Sequence, residues 1–357
     1  MGKKSIIGLG IIGTGGMANV HANNYTWRKD ARVVACCDVD LKRAKEFAER
    51  HKIERIYTDP REFFADKDID AVSNVTSDPA HCEVALAALA AGKHILSEKP
   101  LASNLAQARK MAAVAKASGL INMVNFSYRN SSALHAASRL VADGKIGRVM
   151  HVEASYLQGW LSNPYWGDWR KTPGGIPWRL LAEHCQGNLG DIGCHIFDMT
   201  SCIAGDIASV QADLIAFMKG LKGERLEDYA NDSFAAMVRF AAGGLGVVHS
   251  SRWASGQINS LRCRVYGDKG SVEVDLDRSY TSYRACLGKD IPTTPKQPEW
   301  KEYKVKDIPN LYARFIKAIQ TGKNDASDFQ NGLKVQACLD ACFVSHKKGG
   351  KPVDIVV

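Results

Sequence analysis

The side chains best suited to proton chemistry lie in the run Gly187-Asn188-Leu189-Gly190-Asp191-Ile192-Gly193-Cys194-His195-Ile196-Phe197-Asp198. On a helix Asp191 and His195 stand at i and i+4, so both address one ligand from one face. An imidazole is the side chain best matched to take an alcohol proton near neutral pH, and a neighbouring carboxylate orients substrate hydroxyls and supports the imidazolium. The same spacing also marks surface ion pairs. Here the flanking Gly187, Gly190, Ile192, Gly193 and Cys194 are small or apolar and argue for partial burial. A second candidate is Ser97-Glu98-Lys99-Pro100, where an apolar strand pattern ends in a lysine held by a following proline, which fixes the local backbone and can do so through a cis bond.

A third constellation can hold a dinucleotide. Ile12-Gly13-Thr14-Gly15-Gly16-Met17-Ala18 fits G-x-G-x-x-A between an apolar strand and a helix. Gly13 permits the tight turn, Gly15 lets backbone approach a pyrophosphate, and Ala18 allows helix and strand to pack closely. The helix amides then face the phosphates. Glycine triplets are common in turns, so the context matters: the next strand pattern, Val33 to Cys37, ends at Asp38, 25 positions after Gly13, where a carboxylate accepts hydrogen bonds from an adenosine ribose. That carboxylate repels a 2′-phosphate and favours NAD, although Lys42 and Arg43 lie close enough to leave NADP open.

These groups need a frame that brings them to one edge. In the first third, Val/Ile/Ala-rich runs alternate with helical patterns: Ile6 to Ile12, a helix from Gly16, Arg32 to Cys37, a helix from Leu41 to His51, Ala71 to Val75, a helix from Pro79 to Ala91, Lys93 to Ser97, a helix from Leu105 to Ser118, and Ile121 to Asn125. Such βαβ repetition predicts an α/β, doubly wound parallel sheet of Rossmann type over residues 1–125, with ligands beyond the strand C-termini. Lys99 then lies where the nicotinamide end of a cofactor reaches.

Residues 126–357 follow another rhythm. Helices over Ser131 to Asp143 and Gly187 to Ala204 accompany strand-like runs at 149–156, 210–217, 233–240, 244–250, 261–266 and 271–275, and two helical segments close the chain. This predicts a separate α+β domain with a mostly antiparallel open sheet. The loop-rich stretch before Leu180 carries Trp160, Trp166, Trp169 and Trp178. Each is first a core residue, and one of them is expected to stack on a sugar ring.

Composition narrows the function class. A chain of 357 residues, 45% apolar and 24% charged, has material for two domain cores. The net charge of +9 is spread along the chain instead of gathered in a basic stripe, which argues against nucleic acid. No apolar run approaches the roughly 20 residues a membrane helix needs, and no leader is apparent at the N-terminus. The ten cysteines are scattered, lack zinc spacing, and include the adjacent pair Cys36-Cys37 inside a strand pattern. They read as reduced thiols of a cytoplasmic protein with no metal site.

Ile12-Gly13-Thr14-Gly15, Glu98-Lys99-Pro100 and Asp191-Ile192-Gly193-Cys194-His195, in this order and at these separations, resemble the glucose-fructose oxidoreductase/inositol dehydrogenase (Gfo/Idh/MocA) family. Gly267-Asp268-Lys269-Gly270-Ser271 and the closing helices extend the resemblance over almost the whole chain. Tyr156-Leu157-Gln158-Gly159-Trp160, Trp178-Arg179-Leu180 and Leu189-Gly190-Asp191-Ile192-Gly193 are most similar to its inositol and levoglucosan dehydrogenase branch. The resemblance implies an NAD(P)-dependent oxidoreductase acting on a secondary hydroxyl of a sugar, anhydrosugar or cyclitol. It implies His195 as the base, Lys99 polarising the oxygen or relaying its proton, and Asp191 holding the substrate. Tyr128, Gln158, Trp178 and Arg179 are then substrate contacts. Thr14, Gly16, Met17, Thr76, His81 and Glu98 join Gly13, Gly15 and Asp38 at the cofactor, with Glu98 on the nicotinamide-side ribose. A homodimer or homotetramer built on the open sheet faces is implied as well. The chain departs from the family pattern in two places: Thr76-Ser77-Asp78 stands where Thr-Pro-Asn is usual, and Asn74 occupies a normally apolar strand position. Two rival readings keep the fold. One is a non-catalytic nucleotide sensor, which tends to lose the lysine or histidine kept here. The other is an enzyme that transiently reduces a bound NAD during glycoside cleavage or epimerisation.

Overall fold

The structure, a computed structural model, describes residues 6–171, 178–182, 185–217, 229–295 and 297–357, with the side chains of Arg170 and Trp178 outside that description. It divides into two units, each with its own sheet. The first runs to Ser127 and takes in Pro309–Gln336, and the second is Tyr128–Ile308 with Ala337–Val357.

In the first unit β1 (Ile7–Ile12), α1 (Gly16–Thr26), β2 (Ala31–Cys37), α2 (Leu41–His51), β3 (Arg55–Tyr57), α3 (Pro60–Ala65), β4 (Ala71–Asn74), α4 (His81–Ala90), β5 (His94–Ser97), α5 (Leu105–Ser118) and β6 (Asn122–Val124) follow one another. The strands form a parallel sheet in the order β3-β2-β1-β4-β5-β6. Its order reverses between β1 and β4, the switch point at which such sheets hold ligands. Both strands are buried along their whole length, as expected of strands covered on two faces. The sequence pattern missed β3 and α3, because a three-residue, half-buried strand carries no readable period. Side-chain caps fix the helix starts that matter: Asp40 accepts from the amides of Lys42 and Arg43 at α2, and Asn104 from that of Gln107 at α5.

The second unit contains α6 (Ser132–Ala142), β7 (Val149–Leu157), α7 (Cys194–Ala204), β8 (Ile207–Ile215), β9 (Ser233–Phe240), β10 (Leu245–Ser251), β11 (Ser260–Gly267), β12 (Gly270–Asp275), β13 (Ser282–Leu287) and β14 (Lys301–Lys304). After α8 (Leu311–Thr321), α9 (Phe329–Lys347) leads into β15 (Val353–Asp354). The sheet order is β14-β13-β12-β11-β7-β10-β9-β8-β15, antiparallel except where β7 runs parallel to β10. Helix α7 packs on β7, β10 and β11, and α6 on β12 and β13. Alternation is clean in β9, where Phe234, Ala236, Val238 and Phe240 are buried while Ala235, Met237 and Arg239 are exposed. The buried Arg129 guanidinium grips Asp198 of α7 through both carboxylate oxygens (2.8 to 3.1 Å), which anchors the helix bearing His195.

One boundary differs from the sequence expectation, which gave all of 126–357 to the second domain. Pro309–Gln336 returns to the first unit. Helix α8 buries Leu311, Tyr312, Phe315, Ile316 and Ala318, and these join Ile7, Leu9, Leu96 and Met123 in one core cluster. The parallel sheet needs cover on both faces, and this late helix supplies part of it.

Candidate functional site

At the end of β1 the Gly13 amide donates to the Cys37 carbonyl (2.9 Å). Gly13 adopts φ +82°, and a Cβ on it would stand 2.5 Å from the Val75 carbonyl oxygen, so the turn requires glycine. Gly15 and Gly16 are different: a Cβ on either meets nothing within 4 Å, so there the missing side chain leaves open ground in front of α1. That helix begins at Gly16, without a side-chain cap or an acidic residue in its first turn, and half-exposed Met17 follows. Its leading amides suit an anion. A cavity of about 790 Å³ opens beside them, lined among others by Gly13, Gly15, Asp38, Arg43, Phe64 and Thr76.

Asp38 is fixed at the rim. Its Oδ2 accepts from the Thr14 amide (2.7 Å) and hydroxyl (2.8 Å), and its Oδ1 from the Asp40 amide (3.0 Å) and Arg43 Nη2 (2.9 Å). Burial by itself would raise its pKa, but these hydrogen bonds outweigh it and hold the carboxyl below its ordinary range. The Asp40 cap of α2 is what sets Arg43 facing Asp38. A glycine turn, an open helix N-terminus and a charged carboxylate at the end of β2 together fit a dinucleotide.

Thr76 lines the cavity and donates its hydroxyl to Asn74 Oδ1 (2.7 Å). The unusual strand residue Asn74 is fully buried and satisfied, since its Nδ2 also reaches the His81 carbonyl (3.2 Å) and Ser97 Oγ (3.1 Å). His81 is fully enclosed, with Nδ1 at the Pro100 carbonyl (2.8 Å) and Nε2 at the Thr76 carbonyl (3.1 Å). Its expected contact with the cofactor is corrected to an indirect one: the ring ties together two backbone segments and stays off the cavity wall.

Glu98 stands in a second buried network. Its Oε1 receives His21 Nε2 (2.8 Å) and Asn125 Nδ2 (2.6 Å), and its Oε2 lies 3.2 Å from the Lys99 amide. Asn125 Nδ2 also reaches the Tyr312 hydroxyl (3.2 Å). Burial raises the carboxyl pKa, yet His21, Lys99 and Asn125 prevail and bring it down to about 2. The carboxylate is thus held in an internal network, next to Lys99, which is half-buried after β5 and joined to Pro100 by a cis bond. Nothing in the sequence spacing pointed to His21, Asn125 or Tyr312, which lie far from Glu98 along the chain.

In the second unit Leu189–Gly193 forms a π-turn that runs into α7. Such turns recur at functional sites. A Cβ on Gly193 would come within 2.9 Å of the Phe234 ring, so glycine lets this turn lie close on β9. Asp191 Oδ2 receives Arg252 Nη2 at 2.7 Å and has Arg179 Nε at 3.4 Å. His195, 6% exposed, sits edge-to-face on the Tyr128 ring (centroids 4.9 Å apart) and near Tyr156 (6.3 Å). The Tyr128 and Tyr156 hydroxyls are 2.5 Å apart. Asn259 Oδ1 accepts from Tyr156 (2.5 Å) and Gln158 (2.8 Å), and its Nδ2 donates to Tyr128 (3.1 Å). Burial first, and Tyr128 next, push the Tyr156 phenol well above its usual pKa, so it stays neutral.

The unit thus gathers Asp191, His195, Tyr128, Gln158 and Arg179 as expected, and adds Tyr156, Asn259 and Arg252, which the sequence reading missed. Trp160 and Trp169 pack in a cluster with Leu161, Leu180 and Tyr229, whereas Trp166 is exposed. The Trp178 side chain lies outside the described residues. Among the described residues no group of three or more His, Cys, Asp or Glu side chains could hold a metal.

Two family models match the chain: an oxidoreductase family with an NAD-binding Rossmann fold over residues 7–126, and a Gfo/Idh/MocA C-terminal domain over 134–273. The chain is 30% identical to the levoglucosan dehydrogenase of Pseudarthrobacter phenanthrenivorans, with 96% of each covered. It is 31% identical to the myo-inositol 2-dehydrogenase of Thermotoga maritima over 76% of each. A solved levoglucosan dehydrogenase in complex with NADH and L-sorbose superimposes with a TM-score of 0.86 at 27% identity, covering 99% of this chain and 100% of that one. On the sequence motifs, the two sheets and these matches, the chain belongs to the Gfo/Idh/MocA family of NAD-binding oxidoreductases.

Proposed function

We propose that this chain is an NAD-dependent dehydrogenase that oxidises a secondary hydroxyl of a sugar, anhydrosugar or cyclitol. The observation that carries the reading is the turn bearing Asp191 and His195: a carboxylate between two guanidinium groups, followed one turn later by a buried imidazole. A carboxylate accepts hydrogen bonds from substrate hydroxyls, and an imidazole can remove the proton of the hydroxyl that reacts. The names of the relatives, which include levoglucosan dehydrogenase, myo-inositol 2-dehydrogenase and 1,5-anhydro-D-fructose reductase, support this substrate class.

When bound, NAD supplies the hydride acceptor. The chain's own residues do the rest. His195 takes the alcohol proton, Lys99 polarises the reacting oxygen or relays that proton, and Asp191 holds a neighbouring hydroxyl. Tyr128, Gln158, Arg179 and Trp178 contact the sugar. The turn of Gly13, Thr14, Gly15, Gly16 and Met17 holds the pyrophosphate, Asp38 the adenosine ribose, and Thr76 the cavity side of the cofactor. Glu98 lies at the nicotinamide-side ribose, and His81 positions these segments from behind. The charged Asp38 favours NAD over NADP.

The protein is read as cytoplasmic, which suits ten cysteines that are all free thiols. No helix among the described residues is long and apolar enough to cross a membrane. The assembly is read as a homodimer or homotetramer formed through the open face of the second sheet, where Met237, Leu245 and Val247 are exposed. The deciding experiment offers levoglucosan, inositols, glucose, xylose and 1,5-anhydroglucitol, each with NAD and with NADP, and follows absorbance at 340 nm. Stoichiometric NADH release with at least one polyol is the expected result. Tight NAD binding with no absorbance change on any of them would overturn the dehydrogenase reading.

A further inference from the structure

Arg252 follows β10 and is fully buried, the largest side chain in the protein to be so enclosed among the described residues. Its backbone is tied on both sides: the amide donates to the Asp232 carbonyl (3.0 Å) and the carbonyl accepts from the Leu161 amide (3.2 Å). From there Nη1 donates to the Arg179 carbonyl (2.8 Å) and Nη2 to Asp191 Oδ2 (2.7 Å). The guanidinium carbon lies 5.4 Å from the centre of the Trp160 ring, an arrangement that favours a cation. A guanidinium does not lose its proton in a protein, and one removed from water is costly unless a counter-charge stands beside it. Asp191 is that counter-charge, so protonating Asp191 would strand a buried cation.

We propose that Arg252 is a positioning residue that holds Asp191 in place and permanently ionised, so that Asp191 only accepts hydrogen bonds from substrate hydroxyls and the reaction's proton goes to His195. The inference rests on the reading of Asp191 as a substrate-holding group. Among the described residues, the groups set against Asp191 include Arg252 after β10, Arg179 from the short turn at 178–180 and Tyr156 of β7, with His195 one turn along the chain. Tyr156 stays neutral, whereas the two arginines each place a positive charge beside Asp191. Arg179 is half-exposed and farther away, whereas Arg252 has no solvent to share its charge with. A carboxylate able to take the alcohol proton itself would compete with His195, and the buried cation removes that competition.

The test compares full-length wild type with Arg252→Gln, Arg252→Lys, Asp191→Asn and the Arg252→Gln/Asp191→Asn double variant, using levoglucosan and myo-inositol with NAD at 340 nm from about pH 5 to 9. Arg252→Gln is expected to raise the KM of the polyol by about 10- to 100-fold, as loss of a residue supporting a ligand-holding group does, while the KM of NAD changes little. On the acid side, log(kcat/KM) of wild type falls with unit slope as His195 protonates. In Arg252→Gln the slope steepens towards two, because Asp191 now titrates in the same range. Arg252→Lys restores part of the loss, and the double variant is no worse than Asp191→Asn. An unchanged acid slope in Arg252→Gln, or losses that multiply in the double variant, would overturn the proposal.

If Arg252→Gln does not fold, the melting temperatures of Arg252→Lys, Asp191→Asn and their double decide it: non-additive losses support the pairing and additive ones refute it. Should wild type oxidise neither polyol while Asp191→Asn and Arg252→Gln melt non-additively, the substrate assignment falls and the pairing stands. No polyol-dependent effect of Asp191→Asn, with Arg252→Gln still raising KM, would instead overturn the link between the two residues.

Discussion

His195 gains its proposed role from its surroundings as much as from its chemistry, for it is enclosed by Tyr128 and Tyr156 and carried on a helix anchored by Arg129 and Asp198. A positioned base or acid contributes roughly 10² to 10⁴ in rate. His195→Ala and Lys99→Ala should each lower turnover by about that range while NADH fluorescence titrations still report binding, and near wild-type turnover in both would remove these roles. Glu98 makes a different prediction. In the folded protein its pKa is brought down from an ordinary 4.5 to about 2, so its stabilisation is fully present above the ordinary value and fades as the pH falls towards the folded one. The depression corresponds to about 3 kcal/mol. Urea melts should therefore show Glu98→Gln weaker than wild type by a few kcal/mol at pH 7, with the gap narrowing below about pH 4.5. A gap independent of pH would contradict the buried pairing of Glu98 with His21. The glutamate itself was legible in Glu98-Lys99-Pro100. Its partners were not, because a buried carboxylate recruits whatever polar group the fold delivers, and His21 and Asn125 arrive from distant parts of the chain.

Elements were legible in proportion to their regularity. Helix α2 buries Ala44, Phe47 and Ala48 on one face behind its Asp40 cap, and both period and cap stand in the sequence. Strands β3 and β15 are too short to show a period, and their existence depends on neighbours that complete the sheet. Helix α8 was visible as a helix, yet its attachment to the first unit was not, since an apolar stripe states that a face is buried without naming the partner. Phe315→Ala tests that attachment. Phe315 is fully buried in the cluster with Leu9 and Met123, so the truncation should cost about 3 to 5 kcal/mol and weaken NADH binding, even though the residue is far along the chain from Gly13. Thermal unfolding followed with and without NADH measures both, and a loss below about 1 kcal/mol would mean that α8 covers the sheet only loosely.

For the whole molecule, the open face of the second sheet sets a prediction about assembly. Met237 and Val247 pair across β9 and β10 on that face and are 46% and 38% exposed, an apolar pair that a partner subunit would cover. Val247→Asp should shift the mass measured by light scattering towards the monomer, and an unchanged mass would remove this face from the proposed assembly. By itself the sequence determined the alternation of strands and helices, the glycine turn, the acidic end of β2 and the two motifs bearing Lys99 and His195. These are local, because periodicity, backbone freedom at glycine and side-chain chemistry act within a few residues. Tertiary structure alone decided that His81 faces inward, that Glu98 meets His21 and Asn125, that α8 serves the first sheet, and that Arg252 lies against Asp191. Buried polar groups must find partners wherever the folded chain places them, and those partners lie as far as 61 positions from Asp191 and 77 from Glu98.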